Sequence, residues 1–351
     1  MYISPEIQRR YTAFWDRSAT DRACAYMHGS DGSPAFKAPV DANHKWEDIP
    51  ERLERSIYEG AHTRYFAEGF PSVFVNFGPG CLTACIGGSY KPAPNTVWFE
   101  NQPFFVENWE NRVKPRLDPD SRMYKMIEEL SDGLLLHKNE LCTSITDMGG
   151  TYDIIAALRG TENLLYDLYD NPDEVKALRD EIAPIWRDYF LAHSKRLIAE
   201  QGGHSSWMPI WSDKSYYPLQ CDFCAMLSPK MFGEFILPDL KEQTELMDRA
   251  IYHLDGPGEL PHVDMLLSLP RLNAIQWTSG AGNAPLWDKC WFELYRRIQA
   301  AGKGIVLLGF DRNHLEELLS NVSQRGLYID MYVADEQEAR ELIDMMKRLN
   351  R

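Results

Sequence analysis

The chain has 351 residues, enough to bury a large core as one α/β barrel or two ordinary domains, and 44% hydrophobic with 25% charged residues is ordinary globular usage. A formal charge of -15 and the absence of any Lys/Arg run exclude a phosphate-binding surface, so neither nucleic acid nor an anionic membrane is expected as a partner. The start lacks a basic segment followed by an apolar one, and no later run of about 18 apolar residues occurs, so the expected location is the cytoplasm. The seven cysteines (Cys24, Cys81, Cys85, Cys142, Cys221, Cys224 and Cys290) are odd in number and scattered, which predicts reduced thiols.

In chain order, residues 1 to about 65 read as an extension packed on the rest of the chain. Val73–Phe77 predicts a strand ending at the Gly78-Pro-Gly80 turn, and Thr96–Glu100 an inserted hairpin arm. Ser144–Asp147 predicts a second strand, ending at Gly149-Gly150. Helical pattern then runs from Asp153, with Arg159 beside Gly160 as a long cation able to meet a substrate carboxylate or tie the helix to an acid. Six more strands are predicted at Trp207–Trp211, Leu219–Cys224, Ile251–Asp255, Ala274–Trp277, Ile305–Gly309 and Leu327–Val333, separated by helical stretches. Ser228-Pro229 opens one helix with a kink at Pro238, and Asp311 and Asp335 open two others.

Eight strands in alternation with helices predict a (β/α)₈ TIM barrel over residues 66–351, preceded by the extension of residues 1–65. No Gly-x-Gly-x-x-Gly follows a strand, so no nucleotide cofactor is expected. In such a barrel, reacting groups come from the carboxyl ends of the strands. That rule selects His253, Asp255 and Asp222 as catalytic candidates, and Asn76, Asp147, Arg159, Trp211, Gln276 and Trp277 as substrate-binding ones. Ile251, His253 and Asp255 alternate along one strand, so one face carries both ionisable groups. They read equally as metal ligands or as a general acid and base.

The motifs Phe77-Gly-Pro-Gly80, Asp147-Met-Gly-Gly150, Leu158-Arg-Gly160, Cys221-Asp-Phe-Cys-Ala-Met-Leu-Ser-Pro229 with Phe232, Phe235 and Pro238, and Tyr252-His-Leu-Asp-Gly256 resemble those of the uroporphyrinogen decarboxylase superfamily. The likeness is strongest to its decarboxylase-like branch, related to corrinoid-dependent methyltransferases. It implies a (β/α)₈ barrel over roughly residues 55–350 and several possible reactions. Decarboxylases of the family carry an Arg-rich segment where this chain has Asp21–Tyr26, and an acid where it has Asn76. The methyltransferases hold zinc through His-x-Cys, to which His253 corresponds, but Asp255 stands at the cysteine. The resemblance therefore implies methyl or alkyl transfer between a small organic substrate and a thiol or a corrinoid on a partner protein. Any zinc site would be an altered one of His253, Asp255 and Cys224. A decarboxylase or lyase acting on another carboxylic acid is the alternative, and a catalytically silent ligand-binding barrel the third reading. The oligomeric state is left open.

Overall fold

The computed structural model describes residues 3–100 and 109–350. Among the described residues eleven strands are formed: β1 (Cys24–Ser30), β2 (Thr63–Ala67), β3 (Ser72–Val73), β4 (Ser89–Pro92), β5 (Val97–Glu100), β6 (Cys142–Thr143), β7 (Tyr216–Leu219), β8 (Arg249–Asp255), β9 (Ala274–Thr278), β10 (Gly304–Leu307) and β11 (Leu327–Tyr332). The main sheet runs β2-β1-β11-β10-β9-β8-β7, parallel throughout except for the antiparallel β1–β2 pair. β3 and β6 form a separate parallel pair, and β4 and β5 a hairpin. No helix among the described residues is long and apolar enough to cross a membrane.

The central parallel sheet and flanking helices agree with the predicted α/β class, but the described strands do not close into a hydrogen-bonded barrel. Side chains occupy the two gaps. Between β1 and β3, the Tyr26 hydroxyl donates to the Phe70 carbonyl at 2.9 Å. Between β6 and β7, the Met148 amide donates to the Tyr217 hydroxyl at 2.7 Å, and that hydroxyl donates to Asp147 at 3.1 Å.

The sheet separates two cores. On one face, Cys24, Tyr26, Tyr216, Ile251, Ala274, Val306 and Tyr328 pack under Tyr11, Phe14 and Trp15 of the Pro5–Trp15 helix and Met208, Ile210 and Trp211. The other face meets the large helical core, which includes Tyr252, Leu254, Ile275 and Trp277. Strands buried on both faces read as near-continuous apolar runs, and β1 is one of them.

Within the first 65 residues the Pro5–Trp15 helix packs on the sheet, whereas β1 lies inside it, parallel to β11. Buried Glu68 fixes it there, accepting from the two terminal guanidinium nitrogens of Arg22 at 2.6 Å and from the amide of Ala25 at 2.8 Å. Conversely, Trp207–Trp211 forms no strand, because Met208, Ile210 and Trp211 plug the base of the inner core instead of pairing. Leu219–Cys224 divides, β7 ending at Leu219 and a 3₁₀ turn running from Asp222 to Met226. The predicted hairpin at Thr96–Glu100 is β4 and β5. Ser228 caps its helix as expected, accepting from the Met231 amide, but a π-helical turn at Phe232–Ile236 precedes Pro238 in place of the kink. The wide turn shifts the hydrogen-bond pattern just where proline lacks a donor. All seven cysteines are free thiols.

Candidate metal and ligand site

His253 and Asp255 lie at the carboxyl end of β8 on the face that carries Ile251 lower down, and Asp222 opens the turn after β7, the adjacent parallel strand. Ligand atoms of Asp222, His253 and Asp255 all lie within 4.8 Å of one another. Both β8 side chains are half-buried, and Asp222 is exposed. Although solvent reaches it, the protein crowded around Asp222 pushes its carboxyl above the usual range; the nearby His253 opposes this and Asp255 adds to it.

The His253 ring is held from two sides. Its Nδ1 bonds the side-chain oxygen of Gln276, on neighbouring β9, and Gln276 in turn donates to the Thr278 hydroxyl at 2.7 Å. A carbonyl oxygen only accepts, so Nδ1 is the donor and Nε2 is the nitrogen turned toward the two carboxylates. Trp207 meets the ring edge-on, with centroids 5.0 Å apart. An imidazole fixed in one tautomer between two carboxylates can bind a divalent cation or pass a proton.

Not all predicted residues join this group. Cys224 faces away: its Sγ lies 3.6 Å from the hydroxyl of Tyr252, which occupies the opposite face of β8 from His253. A 3₁₀ turn sends residues two apart in different directions, so Asp222 rather than Cys224 completes the trio. Trp277 is fully buried on the outer face, its ring centroid 4.8 Å from that of Trp291, and Trp211 lies at the base of the inner core. Asn76 closes its own turn, accepting from the Gly78 amide at 2.9 Å. Asp147 is a buried knot, accepting from Gly149, Tyr217 and Gln220, and burial raises its carboxyl. Arg159 ties two successive helices together through Asp167 at 2.6 Å, with its guanidinium over the Trp109 ring.

The two glycine motifs serve backbone approach. A Cβ on Gly149, whose φ is +78°, would sit 2.7 Å from the Gly80 Cα, so the loops after β3 and β6 come this close because residue 149 is glycine. A Cβ on Gly150 would meet the Gln220 carbonyl at 2.0 Å.

Over these elements the chain is similar to a methyltransferase from Methanosarcina mazei, with a TM-score of 0.60 over 98% of this chain and 97% of that one, at 9% sequence identity. The likeness is one of fold. No protein-family model matches the chain, and no curated protein matches it.

Two groups on the same face escape the sequence reading. His28 of β1 and Asp330 of β11 share the inward parity of Tyr26 and Tyr328, with His28 Nε2 3.3 Å from Asp330 Oδ1. The alternation Cys24, Tyr26, His28 is the signal for them, and it is hidden when the segment is treated as an extension. A cleft of about 340 Å³ opens beside Asp222, between the β4–β5 hairpin, the Thr151–Arg159 helix and the 222–226 turn. One of its two acids, Asp153, accepts from the Phe223 amide at 2.9 Å, and burial pushes its carboxyl up to about 7.

Proposed function

We propose that the chain is a methyltransferase of the uroporphyrinogen decarboxylase type, its two parallel sheets forming a barrel-like enclosure. In this reading it moves a methyl or alkyl group between a small organic substrate and a thiol or a partner protein's corrinoid. A divalent ion, zinc first, would be held by Asp222, His253 and Asp255. The observation that carries the reading is the convergence of these three side chains at the carboxyl end of the sheet, with His253 already oriented by Gln276. The likeness in fold to a protein named a methyltransferase supports it.

The donor set fits such an ion: three protein ligands leave a coordination position for a reacting group, and two carboxylates match its charge. When bound, the ion supplies Lewis-acid chemistry, favouring the deprotonated form of an acceptor thiol or hydroxyl. The protein's own part is to orient His253 through Gln276 so that Nε2 is the nitrogen presented, and to hold Asp222 and Asp255 on either side. Replacing the family's thiolate with carboxylates gives a harder site, one that accepts manganese or cobalt alongside zinc.

The lyase alternative finds less support, since the cleft has no Lys or Arg among its described lining residues and Arg159 is engaged with Asp167. A silent barrel is disfavoured by the accessibility of His253 and Asp255. Metal analysis of freshly purified protein, with and without His253→Ala, tests the proposal together with methyl transfer from methylcobalamin to a panel of thiols. About one equivalent of zinc, lost in the variant with transfer, is expected. Full metal content in the variant, or carbon dioxide release from candidate acids in place of methyl transfer, overturns it.

A further inference from the structure

The cleft beside Asp222 combines two features that together select a ligand. Its walls are apolar and aromatic: Trp98 and Phe99 from the hairpin, Phe223 and Met226 from the 3₁₀ turn. Trp98 is 62% and Met226 51% exposed, so both present apolar surface at the cleft. Its charged groups are acids, Asp153 and Asp222, and no Lys, Arg or His is found among the described residues that line it. Asp153 adds a specific demand. Its Oδ1 is taken by the Phe223 amide, whereas its Oδ2 is buried with no hydrogen-bond partner. An unmet buried carboxylate oxygen favours a ligand that brings a donor.

From this geometry we infer that the cleft binds a protonated organic amine, its N–H directed to Asp153 and its apolar or aryl body between Trp98 and Met226. A carboxylate ligand would meet two acids and no counter-charge. A neutral aromatic ligand would fill the walls but leave Asp153 unsatisfied, and a quaternary ammonium has no N–H to offer. Aromatic faces add cation–π attraction for an ammonium. The volume suits a molecule of one ring with a short side chain. Metal binding would not remove the basis for recognition, because the ion's charge is matched by Asp222 and Asp255 while Asp153 lies outside that trio. The inference concerns recognition, goes beyond the proposed reaction, and holds or fails whether or not a methyl group is moved.

The test is calorimetric titration of the full chain, both chelator-treated and zinc-loaded, with benzylammonium, benzyl alcohol and benzoate. Benzylammonium is expected to bind about ten-fold or more tighter than benzyl alcohol in both forms, and benzoate not to saturate. Asp153→Asn keeps an acceptor for the Phe223 amide and should bring benzylammonium down to the level of the alcohol. Trp98→Ala, on an exposed hairpin position, should weaken it about two- to five-fold without affecting folding. No saturable benzylammonium binding, equal binding of the alcohol or benzoate, or a cation preference that survives both substitutions overturns the inference. If Asp153→Asn does not fold, the ligand series and Trp98→Ala decide. Loss of methyl transfer with the amine preference intact refutes the proposed reaction alone.

Discussion

Replacing Gln276 by Leu removes the acceptor of the His253 Nδ1–H while keeping a side chain of similar bulk in a position only 2% exposed. The ring then loses its reason to hold the proton on Nδ1, and either tautomer or a rotated ring competes with the one that offers Nε2. Losing an orienting partner of this kind costs about 10- to 100-fold in metal affinity, or about 1.4–2.7 kcal/mol. Gln276→Glu leaves an acceptor in place and a stronger one, so affinity should be kept or improved. Competition for zinc against a chromophoric chelator gives the dissociation constants, with thermal melts run in parallel to show that both variants fold. The expected order is Gln276→Glu at or above the parent, Gln276→Leu about one to two decades below, and His253→Ala without measurable binding. Parental affinity in Gln276→Leu, alongside loss in His253→Ala, would refute the claim that this hydrogen bond prepares the imidazole.

Other substitutions probe the site and the core separately. His253→Ala and Asp255→Asn should abolish metal binding and turnover yet leave the melting temperature within a few degrees, since both side chains are half-buried and neither fills the core; a large loss of stability would assign them a structural role. Glu259 is fully buried, accepts from the Tyr252 hydroxyl at 3.0 Å, and has its carboxyl pushed up to about 11 by burial. The folded state thus holds a proton that the unfolded chain releases above about pH 4.5, so stability falls as pH rises beyond that point. Glu259→Gln should relieve this, raising stability at pH 7 by on the order of 1–3 kcal/mol in urea unfolding with the gain vanishing near pH 4; a destabilised variant at pH 7 would contradict the assignment. His204 is buried against Tyr216 with its ordinary value lowered to about 4 by that burial. Below about pH 6.5 the unfolded chain takes up a proton that the folded one refuses, so this residue should cost roughly 1.4 kcal/mol per pH unit down to about pH 4. Unfolding of His204→Gln at pH 7 and pH 5 checks the sign through a smaller acid loss than in the parent. Glu68→Ala should destabilise by about 3–5 kcal/mol, because it strands the buried Arg22 guanidinium; a chemical-denaturation change under about 1 kcal/mol would show that β1 is anchored otherwise.

Much of the main sheet was legible because β8, β9, β10 and β11 are short apolar runs bounded by turn residues, the pattern a buried parallel strand requires. The trio Asp222, His253 and Asp255 was legible from strand-end position and period-two alternation, properties local to the chain. What failed was non-local. Trp207–Trp211 has a strand's composition, but its aromatic and apolar side chains fill the base of the inner core, a role that only the folded neighbours define. Cys24–Ser30 has the same composition and does pair, and its membership depends on Glu68, far along the chain. Trp277 sits at a strand end as expected but points to the helical side, since position along a strand does not say which parity faces the site, and Cys224 is turned the same way by the 3₁₀ turn that replaces the predicted end of its strand. Arg159 met a nearer acid eight residues on, an ordinary outcome for a long cation on a helix.

The plug of Tyr11, Phe14, Trp15, Met208, Ile210 and Trp211 beneath the inner face has a consequence for traffic. Among the described residues the amino-terminal edge of the sheet is stoppered by large side chains, which leaves the carboxyl rim as the approach to His253. Two reactants cannot use opposite doors. A donor and an acceptor would take turns there or share the opening, and product would compete with incoming substrate for a single passage. Enlarging the rim, rather than altering the floor, is then the way to admit a bulkier partner.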